Sequence, residues 1–455
     1  MRPEDVRTSA DARAIVEERA LSHVRIGVFD NDGILRGKYL ERDKFCAALD
    51  RGLGFCDVVL GWDSSDQQYD NVTFTGWHTA FPDAPVRLLP ATCRALPLEG
   101  SMLLFLAEFA GNAEQVCPRA ALRRVLRRGS DMGYTAAAAA EFEFFLFSET
   151  PASVRDKHYR NLTPFTPGYF GYSLLRSSVH AELYQALLDL AGGMRMPIEG
   201  LHTETGPGVI EAALHYSEAL EAADRAALFK TYVKVLAQRR GLMATFMAKW
   251  SEQLPGQSGH LHVSLTRRDG KAAFHDAAAP HGMSAEMRWF VGGQQALMPE
   301  LLAMAAPTVN SYTRLVPGYW APTAATWGVE NRTCALRVIP GGSSSQRVEY
   351  RVAAADINPY LALAAAIGSG LWGIEHRIEP DEPITGNAYA REVAAARALP
   401  RTLAEAAGRL RGSAAARELF GAPFVEHFAA SREWEERECR RVVSDWELAR
   451  YFEII

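Results

Sequence analysis

The stretch Glu141-Phe142-Glu143-Phe144-Phe145-Leu146-Phe147, preceded by the run Ala136 to Ala140, decides how this chain is read. Side chains on a β-strand alternate between two faces. Glu141 and Glu143 therefore share one face, and Phe142, Phe144 and Leu146 share the other. Two further stretches repeat the design. In His260-Leu261-His262-Val263-Ser264-Leu265, both histidines and Ser264 stand opposite Leu261, Val263 and Leu265. In Arg347-Val348-Glu349-Tyr350-Arg351-Val352, an Arg–Glu–Arg row stands opposite Val348, Tyr350 and Val352. On any single strand a solvated outer face is the ordinary fate of such residues. Three polar faces carrying carboxylate, imidazole and guanidinium, with the glutamates hemmed in by aromatics, point instead to convergence on one cavity. Carboxylates brought together repel unless cations lie between them. Glutamate oxygens with a histidine suit Mg²⁺ or Mn²⁺ rather than a thiolate-bound metal.

Two neighbouring regions extend the pattern. Glu204-Thr205-Gly206-Pro207-Gly208-Val209-Ile210-Glu211 has a Gly-Pro-Gly centre that forbids helix and permits a tight turn, so both glutamates can return to one site. Glu199 and His202 stand just upstream; the plainer alternative is a surface hairpin with a charged rim. The second region is rich in arginine: Asn310-Ser311-Tyr312-Thr313-Arg314, Glu330-Asn331-Arg332-Thr333, then Arg337. Arginine binds carboxylate and phosphate bidentately and keeps its charge when buried. Arginines among apolar residues and prolines suggest an anionic substrate; surface ion pairing is the alternative.

Around this centre the chain divides near residue 110. Before it, Val24 to Asp30 reads as a strand, Asn31-Asp32-Gly33 as a turn and Ile34 to Leu40 as the returning strand. After it, Pro118 opens a helix. Residues 215–240 have helical apolar spacing that Gly241 would end, and 355–376 read as helix starting near Pro359. Gly368-Ser369-Gly370-Leu371-Trp372-Gly373 matches a dinucleotide fingerprint in form only. No strand precedes it, so its glycines are read as close helix packing. There is no Walker loop.

Composition narrows the function classes. Of 455 residues, 48% are apolar, enough for a core without disulfide or metal staples. Lys+Arg number 49 against Asp+Glu 54, a net charge of −5 that offers no basic excess for nucleic acid. No apolar run reaches membrane-helix length, and the polar start, MRPEDVRTSADARAIVEERA, does not read as a signal peptide. Six scattered cysteines form no CxxC pair, so a cytoplasmic location is expected.

Taken together, AEFEFFLF, TETGPGVIE, GQSGHLHVSL, NSYTRLVPGY, WGVENRT and RVEYR…INPYLALAA, in this order, resemble the glutamine synthetase superfamily over nearly the whole chain. The resemblance implies an α+β fold: an N-terminal β-grasp domain over residues 1–110 and a catalytic domain over 111–455 with a curved antiparallel sheet and helices. It implies self-association into double rings, commonly dodecamers, with each site between adjacent subunits. It places Glu143, Glu204 and Glu211 around one metal ion and Glu141, His260 and Glu349 around a second, with two or three Mg²⁺ or Mn²⁺ ions per site. Glu199, Ser264 and Arg347 fall at ATP-binding positions, with His262 near the nucleotide. Gly256, Arg314 and Arg351 fall at glutamate-binding positions. Arg332 and Arg337 match phosphate-contacting arginines. The implied chemistry is phosphorylation of a glutamate side-chain carboxylate by ATP, then displacement of phosphate by a nitrogen nucleophile to give an amide.

The sequence departs from the ammonia-using pattern at one informative place. A glutamate that follows Pro-Gly-Tyr in those members, and there attracts ammonium and takes its proton, is replaced by Trp320. Tryptophan offers an apolar face and one N–H donor. Pro255 likewise replaces the asparagine beside the glutamate-binding glycine. Asp63 is the candidate for a carboxylate supplied to the neighbouring subunit's site, and Tyr172 for the site's tyrosine. The expectation is a glutamate–amine ligase acting on small molecules (glutamate, an organic amine and ATP). A glutamine synthetase using ammonia and an inactive structural or regulatory relative are the alternatives. Tyr389, in Gly386-Asn387-Ala388-Tyr389, matches a tyrosine that some bacterial members adenylylate and that other relatives use for packing.

Overall fold

A computed structural model describes residues 1–455. Strand His23–Phe29 pairs antiparallel with Leu35–Glu41. The turn between them holds Gly33 at φ 75°, and the Asp30 carboxylate accepts the Asp32 and Ile34 N–H groups. Helix Arg42–Arg51 follows. The sheet order is Leu35–Glu41, His23–Phe29, Leu103–Phe109, Asp83–Leu88, Leu53–Cys56, with the second and third strands parallel. This hairpin, helix and parallel central pair agree with the expected β-grasp arrangement. Strand Leu103–Phe109 is buried along its whole length. Leu103, Phe105, Ala107 and Phe109 pack in the N-terminal core, while Leu104 and Leu106 enter the core of the rest of the molecule. One strand thus joins the two halves through its opposite faces.

The second sheet has nine strands and curls into a half-barrel. Its spine is Tyr134–Phe147, paired with Gly259–Arg267 on one side and Val209–Leu214 on the other. Ile198–Thr203 extends one wing, and Arg347–Tyr350, Leu336–Ile339 and Trp327–Val329 the other. All pairs are antiparallel except Trp327–Val329 with Leu336–Ile339. The convex face is apolar: Phe142 and Phe144 are fully buried against Phe229 and Phe246. Behind them helices Ala285–Ala305 and Pro359–His376 meet at glycines. A Cβ on Gly370 would stand 2.1 Å from the Phe290 ring, and one on Gly373 2.1 Å from the Trp289 carbonyl oxygen. These glycines do serve helix contact.

Two expected boundaries shift, and a third holds. The helix expected from 215 begins at Ala219, because Ser217–Glu218 pairs with Ala137 and Ala138 and the Glu218 carboxylate caps the Leu220 and Glu221 N–H groups. The helix read over 355–376 starts at Pro359, where it was expected to start, capped by Asn358. The last sheet strand of the site stops at Tyr350, and Arg351 already lies in a turn.

Helix Ala422–Cys439 returns to the N-terminal half. Arg432 pairs with Asp32 at 2.8 Å, and His427 Nε2 lies 2.8 Å from the Leu60 carbonyl oxygen. The final helix, Asp445–Tyr451, buries none of its residues. No helix is long and apolar enough to cross a membrane.

Candidate active site

The concave face collects the polar rows. Strand register sets Glu141 opposite His260, Glu143 opposite Glu211, Glu211 opposite His202, and Glu349 opposite both His262 and Arg337. The three strands read as half-polar from sequence do meet, and the Glu204–Glu211 turn meets them from the other wing. His260 Nδ1 stands 3.6 Å from Glu141 Oε1 and 3.4 Å from Glu349 Oε1, and His262 Nε2 stands 3.4 Å from Glu141 Oε2. On the other wing His202 lies 3.4 Å from Glu211 and 3.7 Å from Glu204. Glu143, opposite Glu211 in register, accepts the Ser258 N–H at 2.6 Å through one oxygen.

The electrostatics are those of crowded carboxylates. Burial, with Glu141 and Glu143 close by, pushes Glu211 up to about 8. Burial acts to lower His202, but its contacts with Glu211 and Glu204 prevail and raise it to about 9. Burial acts to raise Glu141 too; there His260 and His262 prevail and hold it well below the usual carboxylate range. Two groups of ligand atoms lie within 4.8 Å of one another: Glu141, His262, Glu349, and His202, Glu204, Glu211. Carboxylate oxygens and imidazole nitrogens, without thiolate, spaced wider than a hydrogen bond, fit a hard divalent cation such as Mg²⁺ or Mn²⁺. These groups contain four of the six residues expected as ligands, Glu141, Glu204, Glu211 and Glu349; of the other two, Glu143 lies opposite Glu211 in register and accepts the Ser258 N–H. His262 joins Glu141 and Glu349 beside the expected His260, whose buried Nε2 has no hydrogen-bond partner.

Next to this cluster a cavity of about 410 Å³ is lined by Glu199, His262, Ser264 and Arg347, the four residues expected around a nucleotide, and by Ala137 to Ala140 and Tyr216. The alanines make a flat floor. Glu141 lines the cavity as well as the cluster, so the two adjoin. Strict alternation would turn Glu199 away from His202. A bulge between Ile198 and Gly200 breaks the alternation and lets Glu199 reach the cavity.

The arginines form the facing wall. Arg337 reaches Glu349 at 3.1 Å and also pairs with Glu330, and Arg351 pairs with the other Glu349 oxygen. Arg314 is buried, donates to the Val352 and Arg351 carbonyls, and is lowered by burial to about 10, so it stays charged at neutral pH. Gly256 is required there: a Cβ would stand 2.6 Å from Arg314 Cγ and 2.7 Å from the Ala248 carbonyl oxygen. Tyr172 stacks on His202, ring centroids 4.3 Å apart, with Glu204, Glu211 and the exposed Arg332 in its field. Two candidates are not drawn into the cluster. Asp63 is buried in its own half, its carboxylate accepting the Ser65 and Gln67 N–H groups and so capping a turn. Trp320 projects from an exposed turn, 61% accessible, at φ 58°.

Ser258 and Tyr216 were not among the sequence candidates for the site, and His202 and Glu330 were noted beside them without a role. His202 was findable, because it alternates with Glu204 and pairs with Glu211. Glu330 and Ser258 act through pairings that only the folded register creates.

Comparison with known proteins follows this geometry. Residues 115–451 match the family model described as glutamine synthetase, catalytic domain. The chain is 48% identical over 438 residues to type-1 glutamine synthetase 2 of Dictyostelium discoideum, covering 95% of this chain and 84% of that one. It is 36% identical to the glutamate–isopropylamine ligase of a Pseudomonas species, covering 100% of both chains. It is 37% identical to the gamma-glutamylethanolamide synthetase of Streptomyces coelicolor, covering 97% and 95%. Among solved structures, apo GmaS superposes with a TM-score of 0.84 at 26% identity, covering 97% of this chain and 99% of that one.

Proposed function

Since the chain belongs to the glutamine synthetase family, we propose that this ATP-dependent ligase joins the γ-carboxylate of glutamate to an organic amine through a γ-glutamyl phosphate. The observation that carries the reading is the double membership of Glu141, which lines the cavity and belongs to the carboxylate–imidazole cluster. A nucleotide seated on the alanine floor, with Glu199, Ser264 and Arg347 around it, directs its phosphates at that cluster. Divalent ions held by Glu141, Glu143, Glu204, Glu211, His260 and Glu349 would supply charge neutralisation of the transferring phosphoryl group. Arg337 and Arg332 add fixed positive charge for the same group. Arg314 and Arg351, with Gly256, hold the acid. Tyr172, stacked on His202 at the mouth of the cluster, would limit the water that hydrolyses the acyl phosphate once a substrate covers its exposed face.

Two observations support an amine over ammonia. In the sequence Trp320 replaces the glutamate that gathers ammonium in ammonia-using relatives, and an indole folded over the site would give an alkyl or aromatic amine dispersion and cation–π contact. Two relatives that match over nearly their whole length carry names of glutamate–amine ligases. Ammonia is the second reading, favoured by the name of the 48%-identical relative. Assembly into rings, with Asp63 acting in a neighbouring site, belongs to the same proposal. The exposed Val442, Val443, Trp446, Phe452 and Ile454 are apolar surface that a second copy would cover.

The test is phosphate release from ATP and glutamate over a panel of alkylamines, ethanolamine, anilines, polyamines and ammonia. At least one amine is expected to outpace ammonia by roughly ten-fold or more, the scale of one or two lost pocket contacts. Trp320→Glu should shift the preference toward ammonia. Ammonia faster than every amine in the native enzyme overturns the amine reading.

A further inference from the structure

A second cavity, of about 470 Å³, lies on the seam between the two halves and shares no residue with the nucleotide cavity or the carboxylate–imidazole cluster. Its walls come from the turn Asp32 to Leu35 of the N-terminal half, from helices Ala219–Arg239 and Ala422–Cys439, and from Thr308 and Asp356. Its volume is within the roughly 300–1,000 Å³ of small-molecule sites.

Six charged residues line it: Lys230, Lys234 and Arg432 against Asp32, Asp356 and Glu435. Arg432 and Asp32 neutralise each other at 2.8 Å. The other four find no opposite charge within ion-pair distance. Asp356 accepts the Thr308 and Ser311 hydroxyls, both at 2.7 Å. Lys230 Nζ donates to the Ile357 carbonyl at 2.5 Å, and Lys234, one turn further along the same helix, is exposed at the rim. Both ammonium groups lie over the Phe246 ring, 5.8 and 5.6 Å from its centroid. Glu435, half-buried on the other helix, has neither an ion pair nor a hydrogen bond. Like charges four residues apart on a helix repel. Burial, with Lys234 close by, lowers Lys230 to about 7, and burial raises Glu435. Two ammonium groups and one carboxylate are thus held around one cavity without partners, where burial makes partners worth having.

The charge pattern selects the solute. A lone anion would satisfy the lysines and meet repulsion from Glu435 and Asp356, and a lone amine would do the reverse. A solute that carries both charges satisfies both walls. Leu35, Phe246 and Met247 line the cavity too and offer an aliphatic chain an apolar surface. We propose that the seam cavity is a second binding site of this enzyme, for a small aliphatic amino acid in its zwitterionic form, with the carboxylate on Lys230 and Lys234 and the ammonium on Glu435. The site is separate from the acid wall and does not depend on which amine the ligase takes.

The test is isothermal titration of the full-length enzyme, without ATP, with two probes: L-leucine, whose charges sit on adjacent groups, and 5-aminopentanoate, whose charges are a chain apart. At least one should bind once per chain. Each analogue that keeps only the carboxylate or only the amine of that probe should bind roughly ten-fold or more weakly, the scale of a lost bond to a charged group. Lys234→Met, which keeps the stem, and Glu435→Gln should weaken the probe to the same degree. Hydroxamate formation from ATP, glutamate and hydroxylamine by Lys234→Met should keep both KM values within two-fold of native, because Lys234 lies outside the catalytic cluster. Absence of binding by both probes overturns the proposal, as does an analogue with one charge that binds as well as the probe. Binding that Lys234→Met leaves unchanged places the probe in the acid seat instead and overturns it too.

Discussion

Glu349 is 2% accessible and holds Arg337 and Arg351 on its two oxygens while facing His260. Burial would raise it, yet the imidazole and the guanidinium keep it below the usual range, so it is a permanent anion at neutral pH. Glu349→Gln removes that charge and leaves two arginines without a counter-ion. Turnover should fall roughly a hundred-fold or more, and unfolding free energy by about 3 kcal/mol. Denaturant titration beside an initial-rate assay separates the two losses, and a variant with native turnover would remove Glu349 from the site. At Gly256 the argument is steric. Gly256→Ala must displace Arg314 or the Ala248 carbonyl, at a cost of about 1–3 kcal/mol. Because Arg314 lies in the acid wall, the KM for glutamate should rise while that for ATP holds; unchanged kinetics would show that the wall absorbs a methyl group.

Elements add what single residues cannot. Helix Ala422–Cys439 holds the N-terminal half through His427, buried against the Leu60 carbonyl and Asn31. Burial, with Arg432 nearby, lowers His427 from 6.5 to about 4. A base depressed in the folded state contributes stability that is present above pH 6.5 and is lost as pH falls toward 4. The loss should total about 3 kcal/mol across that window. Urea midpoints measured from pH 8 to 4 should show it, and His427→Gln should flatten the slope between 6.5 and 4. At this scale much was legible beforehand. Period-two alternation placed Glu141, Glu143, His260, His262 and Glu349 on one face, since a strand leaves a residue only two directions. What was illegible came from contacts between distant segments. The pairing of Ser217–Glu218 with Ala137 and Ala138 moved a helix start, a bulge between two wing strands turned Glu199 inward, and Glu143 met the Ser258 N–H. None of these leaves a local signature, because each depends on what a remote strand presents in register.

In the whole molecule, crowded carboxylates oppose folding until cations are supplied. Mg²⁺ or Mn²⁺ should raise the melting temperature by a few degrees at saturating concentration, and a chelator should reverse the gain, since a ligand of the native state alone stabilises it by mass action. A melting temperature indifferent to both ions would remove the cation site. The same architecture carries a longer-range consequence through the spine strand Tyr134–Phe147, whose alanines floor the nucleotide cavity and whose glutamates begin immediately after them. Cavity and carboxylate cluster are graduations on one ruler, marked at about 3.3 Å per residue. Inserting a single residue between Ala140 and Glu141 would lengthen the ruler and also turn it over, sending both carboxylates into the phenylalanine layer and the rings into water. The spacing between cavity and cluster is therefore the least adjustable dimension of this fold, and new preferences must be written in the turns around it.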